Sequence, residues 1–390
     1  MSDGASLTGL DRRDFVRAAG AGAAGVGAGC LGDGGGGGGD TLQIGYIPIT
    51  DGAPLLVGHA QGFFEEEGLE SETTLYRGWS DLAEAFQAGE VDVAHFLFPM
   101  TYWMRYSLDY PASLLAWDHT NGSAITVQPD VESWDDLRGE TFAVPFWYST
   151  HNVILQKVLR AKGIEPVIHE EPGEDQIKLI VMKPPEMPAA LGKESIEGYI
   201  VAEPFNALGE LNTGGKVLRF TGDIWKTHAD CVVTMDERQV QSDPDRAQSI
   251  VNGVVKSQKW IENNRGEAAT VLSNEGSGQL PYDREVIQRS LSHYGPEAYP
   301  DAIHHPEWEE ERVGFYPYPY PSYTEAIYEE TIPAVVEGDS SFLEEQSAST
   351  VESELVNEEL VRNALESVGG STAFGVPEED AYEREETVDI

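Results

Sequence analysis

The sequence predicts an α/β protein of two domains, each a mostly parallel sheet covered by helices. Three observations lead to this prediction. Short apolar, β-branched segments alternate with segments whose apolar residues recur at helical spacing. Turns rich in polar residues follow several of the strand-like segments. The chain of 390 residues is also long enough for two domains with substantial cores.

The first half begins with a regular alternation of strands and helices. We expect a strand at 42–47, a helix from the turn at 48–54 to about 61, a strand near 72–76, a helix at 80–89 and a strand at 91–95. Ligands of such sheets bind beyond the carboxyl ends of the strands. The turns after Ile47, after His95 and after Val144 are therefore candidates for one pocket, although His95 could equally be satisfied within the core.

The second half starts with a predicted strand at 141–144 and a helix that ends at Gly163. Between them lie aromatic residues and the donors Ser149, Thr150, His151 and Asn152, at a helix N-terminus that suits an anion. A helix cap beside core aromatics explains the same residues equally well. The remaining predicted elements are a strand at 177–182, a helix near 187–191, a strand at 198–201, a helix from 204, a strand at 216–220 and an amphipathic helix at 244–264 packed on the first domain.

The formal charge of −43, from 25 basic and 68 acidic residues, excludes a broad basic surface for nucleic acid or anionic lipid. Because the acidic residues are spread throughout the chain, the charge indicates a surface adapted to concentrated salt, as in halophilic proteins. An acidic interaction tail would explain only the C-terminal end. The two cysteines cannot build a disulfide framework.

The first forty residues indicate a signal for export and are left out of the prediction of the fold. Residues 11–17 have the twin-arginine pattern, and an Ala/Gly-rich run follows. Ala28-Gly29-Cys30 resembles a lipobox, which would attach lipid to Cys30, although an ordinary signal peptide with an incidental cysteine is the alternative. The predicted organisation is a signal at 1–29, a tether at 30–40, a first lobe at 41–130 and 236–345, a second lobe at 131–235, and an acidic C-terminal helix and frayed tail at 346–390.

No pattern predicts catalysis, a cofactor or a metal site. The sequence has no nucleophile elbow, no phosphate-binding loop and no zinc-ligand spacing. His304 and His305 are adjacent and point apart, and Cys231 lies in an apolar run typical of a core residue. We therefore expect a protein that is not an enzyme.

A series of motifs nevertheless resembles one family. They are Ile44-Gly45-Tyr46-Ile47-Pro48-Ile49-Thr50-Asp51, Gly62-Phe63-Phe64, Gly89-Glu90-Val91-Asp92-Val93-Ala94-His95, Pro99-Met100-Thr101-Tyr102-Trp103, Asn121-Gly122-Ser123, Ser149-Thr150-His151-Asn152, Ala202-Glu203-Pro204 and Ile224-Trp225-Lys226-Thr227-His228. In this order they are similar to the nitrate/sulfonate/bicarbonate substrate-binding proteins of ABC importers, and most of all to the nitrate- and bicarbonate-binding lipoproteins. The resemblance covers about residues 41–275.

The resemblance implies a type II periplasmic-binding-protein-like fold, with two α/β lobes that close on a ligand in the cleft between them. It implies a monomer, anchored outside the cytoplasmic membrane, that delivers a small oxyanion, nitrate or bicarbonate, to a permease with an ATPase.

The implied ligand-binding residues are Trp103, Ser123, His151, Ala202, Glu203 and Lys226. His151 and Lys226 are expected to converge on the anion. Ser123 stands where nitrate binders commonly have glutamine, and Ala202 where they commonly have glycine, so the pocket should differ in shape.

Three alternatives remain. The same fold could bind a sulfonate, taurine or a pyrimidine precursor of thiamine. An enzyme can share this architecture, as thiamine-pyrimidine synthases do. A lipid-anchored surface protein without a cleft ligand is the third alternative.

Overall fold

Two mixed sheets, five- and six-stranded, form the framework of the protein. The computed structural model describes residues 41–308 and 311–390, so the predicted signal, the tether and Cys30 lie outside the described residues. No helix in the described part of the chain is long and apolar enough to cross a membrane.

The first sheet has the strand order β2-β1-β3-β12-β4. Its strands are β1 (Leu42–Tyr46), β2 (Ser71–Leu75), β3 (Val93–Leu97), β4 (Ala112–Trp117) and β12 (Cys231–Asp236). β1 runs parallel to β2 and β3, whereas β12 runs antiparallel to both β3 and β4. The amino end of β12 therefore lies beside the carboxyl ends of β3 and β4.

The second sheet has the strand order β11-β6-β10-β7-β9-β8. Its strands are β6 (Ser123–Val127), β7 (Thr141–Val144), β8 (Glu165–Val167), β9 (Gln176–Val181), β10 (Gly198–Ala202) and β11 (Lys216–Phe220). β6 is antiparallel to β10, so Ser123 pairs with Ala202 at the carboxyl end of β10. Two short strands, β5 (Thr120–Asn121) and β13 (Val313–Gly314), pair with each other outside the two sheets.

Fourteen α-helices of the described residues surround the sheets. They are α1 (Ala53–Ala60), α2 (Phe63–Glu66), α3 (Trp79–Gln87), α4 (Phe98–Tyr102), α5 (Thr150–Ala161), α6 (Met187–Leu191), α7 (Phe205–Leu208), α8 (Glu237–Ser242), α9 (Pro244–Asn263), α10 (Arg265–Leu272), α11 (Arg284–Ser290), α12 (Pro321–Thr331), α13 (Ala348–Leu355) and α14 (Glu358–Val368). The long amphipathic α9 packs on α1 and α14, so its apolar face lies on the first lobe, as expected.

The chain crosses between the sheets earlier than the predicted lobe boundaries. β6 precedes residue 131 but belongs to the second sheet, and β12 begins before residue 236 but belongs to the first. The crossings therefore lie between β4 and β6 and between β11 and β12. Both crossings connect to antiparallel strands, which the alternation of strands and helices in the sequence does not indicate.

The C-terminal segment is packed, and the expectation of a frayed tail is wrong. α14 is capped at its C-terminus by Gly369, whose backbone lies in the left-handed region. Beyond it, the Lys226 backbone N–H donates to Thr387 O at 3.0 Å and the Asp389 N–H donates to Ile224 O at 2.8 Å. The Arg384 guanidinium lies over the rings of Trp117 and Tyr320. The last residues therefore cover the connection between β11 and β12.

Candidate functional site

Three buried aspartate–histidine pairs lie where the edges of the two sheets meet. We call them the Asp–His cluster: Asp51 with His119, Asp118 with His95, and Asp230 with His151. None of the six side chains is more than 1% exposed. Asp51 follows β1, His95 lies on β3, Asp118 and His119 follow β4, Asp230 precedes β12, and His151 lies in the first turn of α5. The cluster thus occupies the place where ligands of such sheets bind.

The Asp230–His151 pair connects the two lobes. The N-cap Ser149 of α5 accepts a hydrogen bond from the Asn152 N–H, which fixes the helix start that carries His151. His151 Nε2 lies 2.9 Å from Asp230 Oδ2 and 2.9 Å from Ser123 Oγ, and the Ser123 hydroxyl donates to Asp230 Oδ2 at 2.7 Å. Burial alone would raise the pKa of Asp230, but the nearby His151 outweighs it, so this pKa is lowered.

The Asp51–His119 pair contains a conflict over one nitrogen atom. His119 Nε2 lies 3.1 Å from Asp51 Oδ2 and accepts a hydrogen bond from the Cys231 backbone N–H at 3.0 Å. The first contact needs a proton on Nε2 and the second needs its lone pair. Burial raises the pKa of Asp51 to about 6, whereas for His119 the charge of Asp51 outweighs burial and raises the pKa to about 9. Whether or not Nε2 carries a proton, one of the buried polar groups that contact it is left without a hydrogen bond.

The third pair and a fourth histidine complete the surroundings. His95 Nε2 accepts from the Ile47 N–H at 3.1 Å, and its Nδ1 faces Asp118 Oδ2 at 3.5 Å. His228 Nδ1 lies 3.2 Å from Asn121 Oδ1, and burial lowers the pKa of His228 to about 3. His228 is therefore neutral near pH 7, and the contact with Asn121 assigns its proton to Nδ1. Its Nε2 is then a hydrogen-bond acceptor.

Several buried atoms of the cluster lack a hydrogen-bond partner among the described residues. They are Asp51 Oδ1 and Oδ2, Asp118 Oδ1 and Oδ2, Asp230 Oδ1, His95 Nδ1, His119 Nδ1, His151 Nδ1 and His228 Nε2. Buried polar atoms are nearly always bonded, and a concentration of exceptions calls for a partner from outside the chain. Acceptors outnumber donors in this set, because five of the nine atoms are carboxylate oxygens.

The structure does not bring Lys226 to this cluster. Lys226 is exposed and lines a surface groove together with Tyr320, Arg384 and Thr387. His151, in contrast, is buried. Lys226 and His151 therefore do not converge on one anion, contrary to the expectation from the resemblance, because the C-terminal segment covers the connection that carries Lys226.

The other residues expected at the site have different roles. Ser123 contacts the Asp230–His151 pair directly, as described above. Ala202 is buried at the carboxyl end of β10. The Trp103 ring packs near the rings of Phe146 and Tyr148, at centroid distances of 5.8 and 6.3 Å. The Trp103 ring of the first lobe thus packs against aromatic rings of the second lobe.

Glu203 belongs to a second buried cluster, the Arg312 cluster, formed by Glu203, Glu210, Arg289, Tyr299 and Arg312. Arg312 donates to Glu203 Oε1 at 2.6 Å and to Glu210 Oε2 at 3.0 Å. Glu203 Oε2 accepts from the Ala207 N–H, and Glu210 Oε1 accepts from Tyr299 and Arg289. All four carboxylate oxygens have donors, so this cluster fixes the carboxyl end of β10 and leaves no acceptor for a ligand.

The sequence reasoning missed Asp118, His119 and Asp230 as members of the site. Asp118 and His119 directly follow β4. A strand predicted at 112–117 would have identified both residues, because ligands bind beyond the carboxyl ends of strands. Asp230 precedes a strand, and only the antiparallel direction of β12 brings it to this edge. His95 and the turns after Ile47 and Val144 do meet at one site, as expected.

Comparisons with known proteins agree with this architecture. The nitrate/nitrite binding protein NrtA of Nostoc sp. is 27% identical over 256 residues, which cover 60% of this chain and 57% of that protein. The bicarbonate-binding protein CmpA of Synechococcus sp. is 22% identical over 270 residues, or 62% of this chain and 58% of that protein. The aligned part thus spans a little over half the length of each relative.

A solved structure shares the fold. The periplasmic nitrate-binding protein NrtA from Synechocystis superposes with a TM-score of 0.67 at 23% identity, covering 87% of this chain and 91% of that chain. The fold is therefore the two-lobed periplasmic-binding-protein fold that the sequence predicts. The profile of one family, described as NMT1-like, matches residues 36–273, which is more than half of the sequence. The chain belongs to the NMT1-like family.

Proposed function

We propose that this protein is the extracytoplasmic solute-binding component of an ABC importer. It binds a small solute at the Asp–His cluster and delivers it to a membrane permease driven by an ATPase. One observation carries the proposal: side chains from both lobes meet at a buried cluster whose polar atoms are incompletely bonded. The relatives named for binding nitrate and bicarbonate support the class of function. The signal pattern and Cys30 support export and a lipid anchor.

The chemistry of the cluster favours a small oxyanion that also donates a hydrogen bond. Asp51, Asp118 and Asp230 each present an oxygen that only a donor can satisfy. Nitrate has acceptor oxygens only, whereas bicarbonate carries one O–H. We therefore rank bicarbonate above nitrate as the ligand of this chain.

The burial of the cluster sets a limit on ligand size and requires motion. Side chains that are at most 1% exposed leave no path from solvent, so the lobes must separate for a ligand to enter. Ligand then stabilises the closed state by its preference for that state over the open one. A small inorganic anion fits this enclosure better than a sulfonate with an organic tail or a pyrimidine.

Calorimetric titration with bicarbonate, nitrate, taurine and an aminopyrimidine tests the proposal. We expect binding of bicarbonate, weaker binding of nitrate, and no response to the other two. His151→Gln should reduce the affinity at least about tenfold, because it removes a buried contact to Asp230. Lys226→Gln is the matched control: it removes a positive charge at an exposed position and should leave the affinity unchanged.

A titration result that differs from these expectations would contradict a specific part of the proposal. A response only to taurine or to the aminopyrimidine would replace the ligand and keep the class. Loss of binding in Lys226→Gln with retention in His151→Gln would move the site away from the Asp–His cluster. Absence of thermal stabilisation by any member of a wide solute panel would favour a surface protein without a ligand. Circular dichroism of both variants establishes that they are folded.

A further inference from the structure

We propose that Asp51, His119 and Cys231 together bind one divalent transition-metal ion, of the chemistry of zinc or cobalt. The carboxylate, the imidazole and the thiol each place one ligand atom within 4.8 Å of the other two, and all three residues are buried. Ligand atoms around a tetrahedral zinc ion stand about 3.3–3.8 Å apart, given Zn–N of about 2.0 Å and Zn–S of about 2.3 Å. Side-chain adjustments of about 1 Å therefore suffice to close the site.

The conflict at His119 supports a cation at this place. Asp51 Oδ2 and the Cys231 N–H compete for Nε2 at 3.1 and 3.0 Å. A metal ion bound to Nε2 would take the lone pair in place of the Cys231 N–H and would hold the carboxylate and the ring together without a proton between them. A separation of 3.1 Å between the carboxylate oxygen and the ring nitrogen is close to that of two ligands of one ion.

A second observation comes from the space beside Gly122. The Gly122 backbone has φ +86°, and a β-carbon built on it would lie 2.7 Å from His119 Nδ1 and 3.0 Å from Asp51 Oδ1. Neither atom has a hydrogen-bond partner among the described residues, and neither does Asp51 Oδ2. His119 Nδ1 and Asp51 Oδ1 therefore face one small space on the side of the ring opposite Nε2, which glycine leaves clear for a small bound group and which any other residue would fill.

The charge of the surroundings also favours a cation. Among the described residues, no lysine or arginine forms an ion pair with Asp51, Asp118 or Asp230, whose charges are met only by histidines. The three proposed ligands belong to the first sheet or to the segments at its edge. The metal site therefore does not depend on closure of the lobes.

The donor set selects the kind of metal. Thiolate and imidazole ligands favour zinc and related ions over calcium and magnesium, which prefer oxygen ligands. Three protein ligands leave a fourth tetrahedral position for an outside group. Resting here on the proposed function, we infer that an oxygen of the bound oxyanion takes this position, so that the metal supplies the positive charge that Lys226 does not.

Titration with Co²⁺ tests the metal site independently of any anion. The full chain with Cys30→Ser, reduced and freed of metal by a chelator, contains no thiol other than Cys231. We expect a cobalt–thiolate absorption band that saturates at one equivalent of Co²⁺ and is reversed by Zn²⁺ but not by Ca²⁺. Cys231→Ser should abolish the band, and His119→Gln should weaken Co²⁺ binding at least about tenfold. His305→Gln, which alters a surface histidine between Glu307 and Asp389, should change nothing.

Three outcomes would overturn the metal site: no thiolate band in the parent protein, a band that survives both Cys231→Ser and His119→Gln, or displacement by Ca²⁺ as readily as by Zn²⁺. Unfolding curves in urea identify a variant that has lost its fold, in which case Cys231→Ala replaces Cys231→Ser. Bicarbonate titration with and without Zn²⁺ separates this inference from the proposed function. Metal binding without any anion binding would refute the bicarbonate ligand alone, whereas equal bicarbonate affinity in chelator would refute the role of the metal in anion binding.

Discussion

The Arg312 cluster and the Asp–His cluster are two groups of buried charged side chains beside the same edge of the second sheet. They differ in the partners that their carboxylate oxygens bind. In the Arg312 cluster, guanidinium, phenol and backbone donors reach all four oxygens of Glu203 and Glu210. In the Asp–His cluster, both oxygens of Asp51 and of Asp118 and one oxygen of Asp230 have no hydrogen-bond partner among the described residues. The Arg312 and Glu203 side chains are as deeply buried as the Asp–His cluster, so burial alone does not distinguish a structural group from a binding group.

The difference lies in the type of partner. Arginine presents five donors in a fixed planar arrangement and remains charged, so one side chain can satisfy two carboxylates. Histidine presents one or two donors, and its charge depends on its surroundings. A carboxylate paired with histidine therefore keeps part of its bonding capacity for a ligand or an ion. We expect substitutions in the Arg312 cluster to change stability, and substitutions in the Asp–His cluster to change binding.

The largest effect is expected for Arg312→Met. The side chain of Arg312 is 1% exposed, and its removal leaves Glu203 buried without a cation. Breaking a buried pair from one side costs about 3–5 kcal/mol of unfolding free energy, which urea denaturation would measure. Arg289→Met is the control, because Arg289 is 40% exposed and Glu210 keeps Arg312, so the loss should be below about 1 kcal/mol. Equal losses in the two variants would contradict the distinction.

A smaller effect is expected for Gly122→Ala, which tests how tightly the Asp–His cluster is packed. Alanine is strained at φ +86°, and its β-carbon would lie 2.7 Å from the His119 ring. Gly68→Ala is the matched control, since Gly68 has φ +82° and no atom within 4 Å of the added carbon. We expect both variants to lose about 1–2 kcal/mol from strain and Gly122→Ala to lose about 1–3 kcal/mol more from the contact. Ligand affinity should fall only in Gly122→Ala.

Glu210→Gln should show a dependence on pH. Burial raises the pKa of Glu210, but the charge of Arg312 and the hydrogen bonds of Arg289 and Tyr299 outweigh it, so the pKa is lowered in the folded protein. The stability that ionised Glu210 contributes is therefore present above its unfolded pKa, about 4.3, and is lost as the pH falls through the folded pKa. We expect Glu210→Gln to cost about 1–3 kcal/mol at pH 7.

Urea denaturation between pH 3 and pH 7 measures this dependence. The stability difference between the parent protein and Glu210→Gln should narrow in the acid range. A difference that widens as the pH falls would show that the pKa of Glu210 is raised instead, as burial raises the pKa of Glu203.

The smallest effect on stability is expected for Asp51→Asn. Because burial raises the pKa of Asp51, its charge is costly in the folded protein, and the amide keeps the same shape. Unlike an arginine, His119 can lose its proton once the carboxylate that raises its pKa is gone, so no buried charge is left alone. In the presence of chelator at pH 7, the free energy of unfolding should change by less than about 1 kcal/mol, while binding of Co²⁺ and of bicarbonate is lost. A loss of stability as large as that of Arg312→Met would make the two clusters equivalent and remove the reason to regard the Asp–His cluster as a binding site.

The sequence predicts most of the parallel elements because their apolar residues follow clear periods. The strand expected at 141–144 is found at those residues, and the helix expected to end at Gly163 runs over Thr150–Ala161. The antiparallel strand at 112–117 was not predicted. It is apolar on both faces, and a continuous apolar run does not separate a buried strand from a buried helix segment.

The candidate site could be predicted only in part, for the same reason. His95, His151 and Ser123 lie beside elements or motifs that the sequence identifies. Asp230 reaches the site through the direction of β12, and Lys226 is kept from it by contacts of residues 387–389, more than 150 positions away in the chain. Such placements depend on long-range packing, which local periodicity does not encode.

The position of the C-terminus has a practical consequence. Residues 387–389 hydrogen-bond to residues 224–226, in the segment that links β11 of one sheet to β12 of the other. A reporter or purification tag fused directly after Ile390 would lie close to this linking segment and, on the proposed function, would hinder the hinge motion of the lobes. Labels intended to follow that motion belong on loops such as the one at Gly295, where an added side chain would meet nothing within 4 Å and the backbone is not left-handed.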